Sequence, residues 1–483
     1  MASEKYIKNY IDGTLVPAAS QDYLDTCNPA TGRPYAHFPD SSEKDVERAV
    51  EAARRAFPSW STLEPKWRFR LLMRIADIIE QEMEEFATAE AIDTGKPVAM
   101  AKSVDIPRAQ ANFRFYASAI LHEQSRAYHK PGESVHYEMR QPVGVVGCLS
   151  PWNLPLYLLT SKIAPALAAG NCVVAKTSEL APMTAFLFSR ACARAGLPAG
   201  VLNVVHGTFD KVGEAIIQHP AIRALAFTGD HKHGKAIYQQ AAGQFKKISM
   251  QLGGKNPNII FSDCDFDQMM VGTLRSSFSN NGQIGFAASR IYVQRPVYER
   301  FREQFSKRTQ FLKVGDPFSA VTDLGALISR EHMEQVLSYL ALAEVEGGKI
   351  LCGGKPPEIN GDLENGYFLR PAIIEGLPLD ARTNQEEIFG PVVTIAPFDT
   401  EEEAIALANG TDFGLSASIW TKDIARANRV AEKIRSGLIW VNSWMVQDLR
   451  PAVEPLKKSG VHLNGGLEDL HFFYDTKTVC VKY

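Results

Sequence analysis

From about residue 145 onward the chain alternates short apolar runs with helix-length segments, and this rhythm limits the fold more than any other feature. The runs are Val145 to Leu149, Cys172 to Ala175, Val201 to Val205 and Ala224 to Phe227, often with glycine or proline at the joints. Alternation of this kind marks a parallel sheet wound with helices, so the expected fold class is α/β. Ligands of such sheets sit at the carboxyl ends of the strands, which makes the residues just after each run the ones to question.

The stretch before residue 145 reads as helical. Val46, Ala49, Val50, Ala53 and Phe57 form one stripe behind Ser42 as N-cap. Leu72, Ile75, Ile79, Met83 and Phe86 form another, with charges on the opposite face. A second α/β stretch runs from about Pro257 to Trp440, and the β-prone tail Phe472–Tyr483 is expected to pair, with another subunit as natural partner.

Composition removes several function classes. At 483 residues the chain should hold two or three domains, and 45% hydrophobic with 22% charged residues is ordinary for a globular protein. A formal net charge of −3 gives no reason to expect nucleic acid or an anionic membrane as partner. No apolar run approaches the ~20 residues that a membrane-crossing helix needs, and the opening residues do not read as a secretory signal. The seven cysteines form no C-x-x-C pair, so neither zinc site nor disulfide framework is expected and a cytoplasmic setting is. His231 and His233 form an H-x-H pair, but in a strand-to-helix loop such a pair is usually solvent-exposed, and no metal is expected.

The segments that follow the apolar runs carry a family resemblance. Ser150-Pro151-Trp152-Asn153-Leu154-Pro155, Lys176-Thr177-Ser178-Glu179, Phe227-Thr228-Gly229, Leu252-Gly253-Gly254-Lys255-Asn256 and Glu386-Glu387-Ile388-Phe389-Gly390-Pro391 come in order over almost the whole chain. Together they resemble the motifs of the aldehyde dehydrogenases. Asn112-Phe113-Arg114-Phe115, Asn153 to Leu156, Val441 to Trp444 and Asp448-Leu449-Arg450 resemble the 2-aminomuconic and 2-hydroxymuconic semialdehyde branch. The resemblance implies a Rossmann-like dinucleotide-binding domain over 1–135 and 150–253, and a catalytic-type α/β domain over 254–445. It also implies a small β oligomerisation arm over 136–149 and 467–483, in a homodimer or homotetramer.

The same resemblance assigns residues. Asn153 takes the place of the oxyanion donor, with Arg114 and Arg450 as substrate-carboxylate anchors and Gln447 where the branch often has a second arginine. Lys176 and Glu179 would hold the adenosine ribose of NAD, Gly229 and Asp230 would lie near its pyrophosphate, and Glu387 and Phe389 would meet its nicotinamide ribose. NAD binding stays open, because the Asp230 carboxylate would repel phosphate unless it points away.

Three departures set the functional expectation. Gly285 stands where the family has its cysteine nucleophile, Gln251 where it has its glutamate base, and Glu454 and Pro455 replace two glycines near the substrate mouth. Ser289 is four residues from the nucleophile position and lacks thiolate character, so it reads as a structural serine. Thioester chemistry needs a nucleophile, oxyanion donors and a base to activate water, and only the donors remain. The chain is thus expected to be a natural divergent homologue without NAD-dependent aldehyde oxidation. Its pocket would be repurposed to bind, or to convert without redox, a small carbonyl or carboxylate molecule. The alternatives are a structural or regulatory crystallin-like subunit, and weak residual semialdehyde oxidation through the aldehyde hydrate.

Overall fold

The computed structural model describes residues 5–446 and 448–483. Two mainly parallel sheets organise the chain. The first has eight strands in the order Gly460–Val461, Lys247–Gln251, Ile222–Thr228, Val145–Leu149, Cys172–Lys176, Leu202–Val204, Asn9–Ile11 and Thr14–Val16. Its five inner strands are parallel, and they contain the apolar runs that the sequence shows. Apart from those of Lys247–Gln251, their residues are almost all buried, because helices cover the sheet.

The second sheet has seven strands: Lys349–Cys352, Ala372–Glu375, Val392–Phe398, Ala288–Gln294, Asn256–Ile260, Ser416–Trp420 and Leu438–Val441. All neighbours are parallel except the first pair. A third sheet joins Tyr474–Lys482 to Ser134–Pro142 and Ala127–Lys130, antiparallel throughout. This small sheet therefore begins earlier than the expected 136–149, and Val145–Leu149 sits instead at the centre of the eight-stranded sheet. The run is too apolar for a two-faced exposed arm and finds parallel partners on both sides.

The first helical stripe lies on Glu43–Ser61, where Val46, Ala49, Val50 and Ala53 are fully buried. The second stripe divides between two helices, Pro65–Gln81 and Met83–Thr94, which meet at Glu82. The division has a reason: the later helix is buried on several faces and carries Glu90 into the interior, which one straight amphipathic helix would not do.

Arg290 ties the second sheet together. It is 2% exposed, and its guanidinium donates to the carbonyls of Lys255 (2.8 Å), Leu407 (2.8 Å) and Ala408 (2.9 Å) and to the Tyr292 hydroxyl (3.0 Å). Two of those carbonyls end the helix Glu401–Asn409, where a cation is also favoured by the helix dipole. Arg290→Met would strip several buried acceptors of their donor and should cost about 3 kcal/mol or more. A lowered urea midpoint would register that loss, whereas an unchanged midpoint would mean that other donors reach these carbonyls.

Candidate active site

The carboxyl ends of four neighbouring strands place the first group of residues. In register, Leu149 lies beside Lys176 on one side and Phe227 on the other, and Thr228 lies beside Gln251. The segments after these strands, 150–155, 176–180, 229–233 and 251–253, open together into one cavity of about 750 Å³. The second sheet contributes Gly285, Phe286, Glu387 and Phe389 from the other side. An arm of about 190 Å³, which shares Tyr157, Phe227, Thr228, Gln251 and Phe286 with the main cavity, extends from it.

Asn153 sits just before the helix Pro155–Ala168, whose proline is at the position where a missing N–H costs nothing. Its side-chain amide donates to the Gln283 carbonyl at 2.9 Å, which uses one of its two protons. Asn280 donates to the main-chain oxygen of Asn153 at 3.0 Å. The turn that holds Asn280 is unusual, because Asn280 (φ 52°), Asn281 (φ 57°) and Gly282 (φ 69°) are all left-handed in succession. A Cβ at Gly282 would fall 2.2 Å from the Gly390 carbonyl oxygen, so only glycine fits there.

Gly285 faces the cavity with its carbonyl held by Asn256 at 2.7 Å. Gln251 ends its strand and lines both the cavity and the arm. Among the described residues no cysteine lines either space. Burial pushes the thiols of Cys148 and Cys172 up to about 12 and those of Cys264 and Cys352 up to about 11, so none of these four offers a thiolate near neutral pH.

Glu387 lies against the glycine pair after Gln251. Its carboxylate accepts from Gly254 N–H at 3.1 Å, and a Cβ at Gly253 would fall 1.8 Å from its Oε2. Burial raises this carboxyl to about 7, against the pull of the Gly254 hydrogen bond and of Lys255. Phe389, two residues on, is left-handed at φ 56° and packs edge-on against Trp152 at 5.4 Å. A bulky residue in that conformation is strained and marks a site held in place by its surroundings.

At the other end of the cavity, Lys176 donates to Glu179 at 2.8 Å, and Glu179 also accepts from Phe209 N–H at 3.3 Å. Asp230 caps the helix His231–Ala242 and accepts from the His233 N–H at 3.0 Å, while its other oxygen meets the His233 ring. Burial works against the charge of Asp230, but the His233 contacts outweigh it and hold the carboxyl below its ordinary value. The carboxylate is thus turned towards its own helix.

The expected substrate anchors are not where the sequence pointed. Arg114 pairs with Asp77 (2.9 Å) and Glu80 (2.6 Å) of the helix Pro65–Gln81 and does not line the cavity. Arg450 pairs with Asp448 and is 81% exposed, and Gln447 lies outside the described residues. The arm holds Arg108 and Lys162 instead. Arg108 stacks over Tyr157, 5.4 Å from the ring centre, and its buried Nε has no hydrogen-bond partner. Lys162 donates to Thr228 Oγ1 at 2.7 Å, and burial lowers its ammonium to about 8. Helix geometry could have found Arg108: it lies one turn before the buried Asn112 on the same face of Ile106–Ala119. Arg114, two residues after Asn112, points roughly the opposite way.

Comparison with known proteins gives these features a family. Residues 15–479 match the aldehyde dehydrogenase family, and the chain belongs to it. A 2-aminomuconic semialdehyde dehydrogenase of Mus musculus is 45% identical over 480 residues, 99% of this chain and 98% of its own. A 2-hydroxymuconic semialdehyde dehydrogenase of Pseudomonas sp. (strain CF600) is 42% identical over 484 residues, 99% of this chain and 100% of its own. Among solved structures, betaine aldehyde dehydrogenase from Staphylococcus aureus in complex with NAD+ superposes with a TM-score of 0.95 at 35% identity. The match covers 98% of this chain and 94% of that one.

These relatives overturn one expectation. Full-length identity at this level to semialdehyde dehydrogenases points to an active aldehyde dehydrogenase, and the readings of lost oxidation, a non-redox pocket and a crystallin-like subunit fall with it. The departures at Gly285 and Gln251 concern only two side chains. Neighbouring donors, the strand-end cavity and the glycine turn at 282 remain built around them.

The space at Gly285 is testable. A Cβ there would meet only Leu415 Cδ2, at an ordinary 3.5 Å, and its φ is outside the left-handed region. Gly285→Cys should therefore fold with stability within about 0.5 kcal/mol of the parent. Mass spectrometry after alkylation should find one more reactive thiol. A thiol at 285 that resists alkylation in the folded protein would show that the cavity is closed there.

Proposed function

We propose that this chain oxidises a semialdehyde, an aldehyde that also carries a carboxylate, with NAD as oxidant. One observation carries the reading: Arg108 and Lys162 line an arm that shares Gln251 with the cavity in which Asn153 stands. The names of the relatives support the same substrate class.

The dinucleotide fits the residues present. Lys176 and Glu179 offer a donor and an acceptor suited to ribose hydroxyls, and Gly229 and Gly253 let main chain approach closely. Asp230 spends its charge on His233 and its helix N-terminus rather than on the cavity. Bound NAD supplies a hydride acceptor.

The rest is work for this chain's own groups. With Gly285 at the family's nucleophile position and no cysteine lining the cavity among the described residues, the substrate form that suits the site is the aldehyde hydrate. Arg108 binds the distal carboxylate, and the second amide proton of Asn153 holds one hydroxyl oxygen of the hydrate. Glu387, with a carboxyl near 7, takes a hydroxyl proton as the C–H bond gives up its hydride, leaving the carboxylic acid. Each step is accounted for: one hydride leaves carbon, one proton leaves oxygen, and a C=O forms. We further assign the small sheet, whose edge strand Tyr474–Lys482 is nine residues long, to a homo-oligomer contact.

Purified protein incubated with NAD and muconic-type semialdehydes should produce NADH, and thiol alkylation should leave the rate unchanged. Absence of NADH with every such substrate would refute the reading. The rate should rise as pH passes through about 7, because Glu387 acts only when deprotonated. Glu387→Gln should lower turnover by about 10²- to 10⁴-fold and remove that pH limb. Arg108→Ala should raise KM about 10- to 100-fold for carboxylated aldehydes and leave uncharged ones nearly unaffected; equal effects on both would assign Arg108 to packing.

A further inference from the structure

Lys96 is a cation with no access to solvent: its side chain is 0% exposed, as are those of its partners Glu90 and Asp105. Its ammonium donates to Asp105 Oδ1 at 2.7 Å, to Glu90 Oε1 at 3.2 Å and to the main-chain oxygen of Asn153 at 2.8 Å. All three ammonium protons are used. Burying such a group is costly unless every proton is matched, so this arrangement holds its members in place firmly.

Two carboxylates face one ammonium, which leaves an excess negative charge. Burial, and then the neighbouring Asp105, drive the Glu90 carboxyl well above its ordinary range, against the pull of Lys96. Burial alone would pull Lys96 down, but Asp105 and Glu90 outweigh it and keep it charged. A widened π-helical turn, Ala101–Asp105, brings the second carboxylate to Lys96, and such turns collect at functional sites.

The third acceptor distinguishes this cluster from a plain structural ion triad. The Asn153 carbonyl takes one hydrogen bond from Lys96 and a second from Asn280, at 3.0 Å, so both its lone pairs are engaged. Its side chain spends one proton on Gln283. The direction of the remaining amide proton is then set by how firmly the 153 peptide is held.

We propose that Lys96 is a positioning residue for this reaction: clamped by Asp105 and Glu90, it fixes the Asn153 peptide so that the side-chain amide meets the substrate oxygen. This rests on the reading of the site as an aldehyde-oxidising one. An oxygen donor that acts on developing charge affects turnover more than binding.

The full-length variants Lys96→Met, Asp105→Asn and Glu90→Gln test it by steady-state kinetics, thermal unfolding and crystallography. Lys96→Met should lower kcat by about 10- to 10³-fold with little change in KM, and its crystal structure should show the Asn153 amide turned from its original direction. Asp105→Asn, nearly isosteric and the safer variant to fold, should lower kcat by a smaller factor. Glu90→Gln keeps an oxygen on Lys96 and should lower kcat by no more than Asp105→Asn does. A lowered unfolding temperature with unchanged kcat in Lys96→Met or Asp105→Asn would overturn the proposal. If the parent protein turns over no aldehyde, the functional reading fails first. The crystal structures still decide positioning then, because an unmoved Asn153 amide in either variant would overturn it.

Discussion

Parallel pairing of Val145–Leu149 with Cys172–Lys176 on one side and Ile222–Thr228 on the other is the constraint from which the site follows. Parallel strands all point the same way, so the loops after them open on one edge of the sheet. Register then does the rest. Leu149 beside Lys176 and Thr228 beside Gln251 bring four segments, far apart in the chain, to one cavity wall. The second sheet completes the opposite wall with Gly285 and Glu387, and neither wall alone encloses a substrate.

Charge inside this framework is managed by pairing or by protonation. Lys176 meets Glu179, Asp230 meets His233, and Lys96 meets two carboxylates, of which burial and Asp105 drive Glu90 up. Where a full partner is missing, burial moves the group towards neutrality: Glu387 rises to about 7 and Lys162 falls to about 8. Glu387 lines the cavity and Lys162 its arm, so both shifted groups stand where a proton could be exchanged near neutral pH.

The motif residues Asn153, Lys176, Glu179, Gly229, Asp230, Gln251, Gly285, Glu387 and Phe389 were legible one by one, and the structure brings them all to one cavity. Two kinds of inference from sequence fared less well. The resemblance makes Arg114 a substrate anchor, but a helix turns 100° per residue, and that rotation delivers Arg108 to the arm and Arg114 to Asp77 and Glu80. The expected loss of function follows from three local departures, at Gly285, at Gln251 and at Glu454 with Pro455, whereas full-length similarity to semialdehyde dehydrogenases weighs the whole framework that surrounds them.

By itself, the sequence determined the α/β class, the parallel strands and the identity of the strand-end residues, because apolar periodicity and motif order are local properties of a chain. Tertiary structure alone decided which cations line the arm, that Asp230 turns to its own helix, and that Lys96 grips the Asn153 carbonyl. Those outcomes depend on contacts between segments dozens of residues apart. Burial sets the protonation of such groups, and burial is fixed only when the sheets and helices have packed.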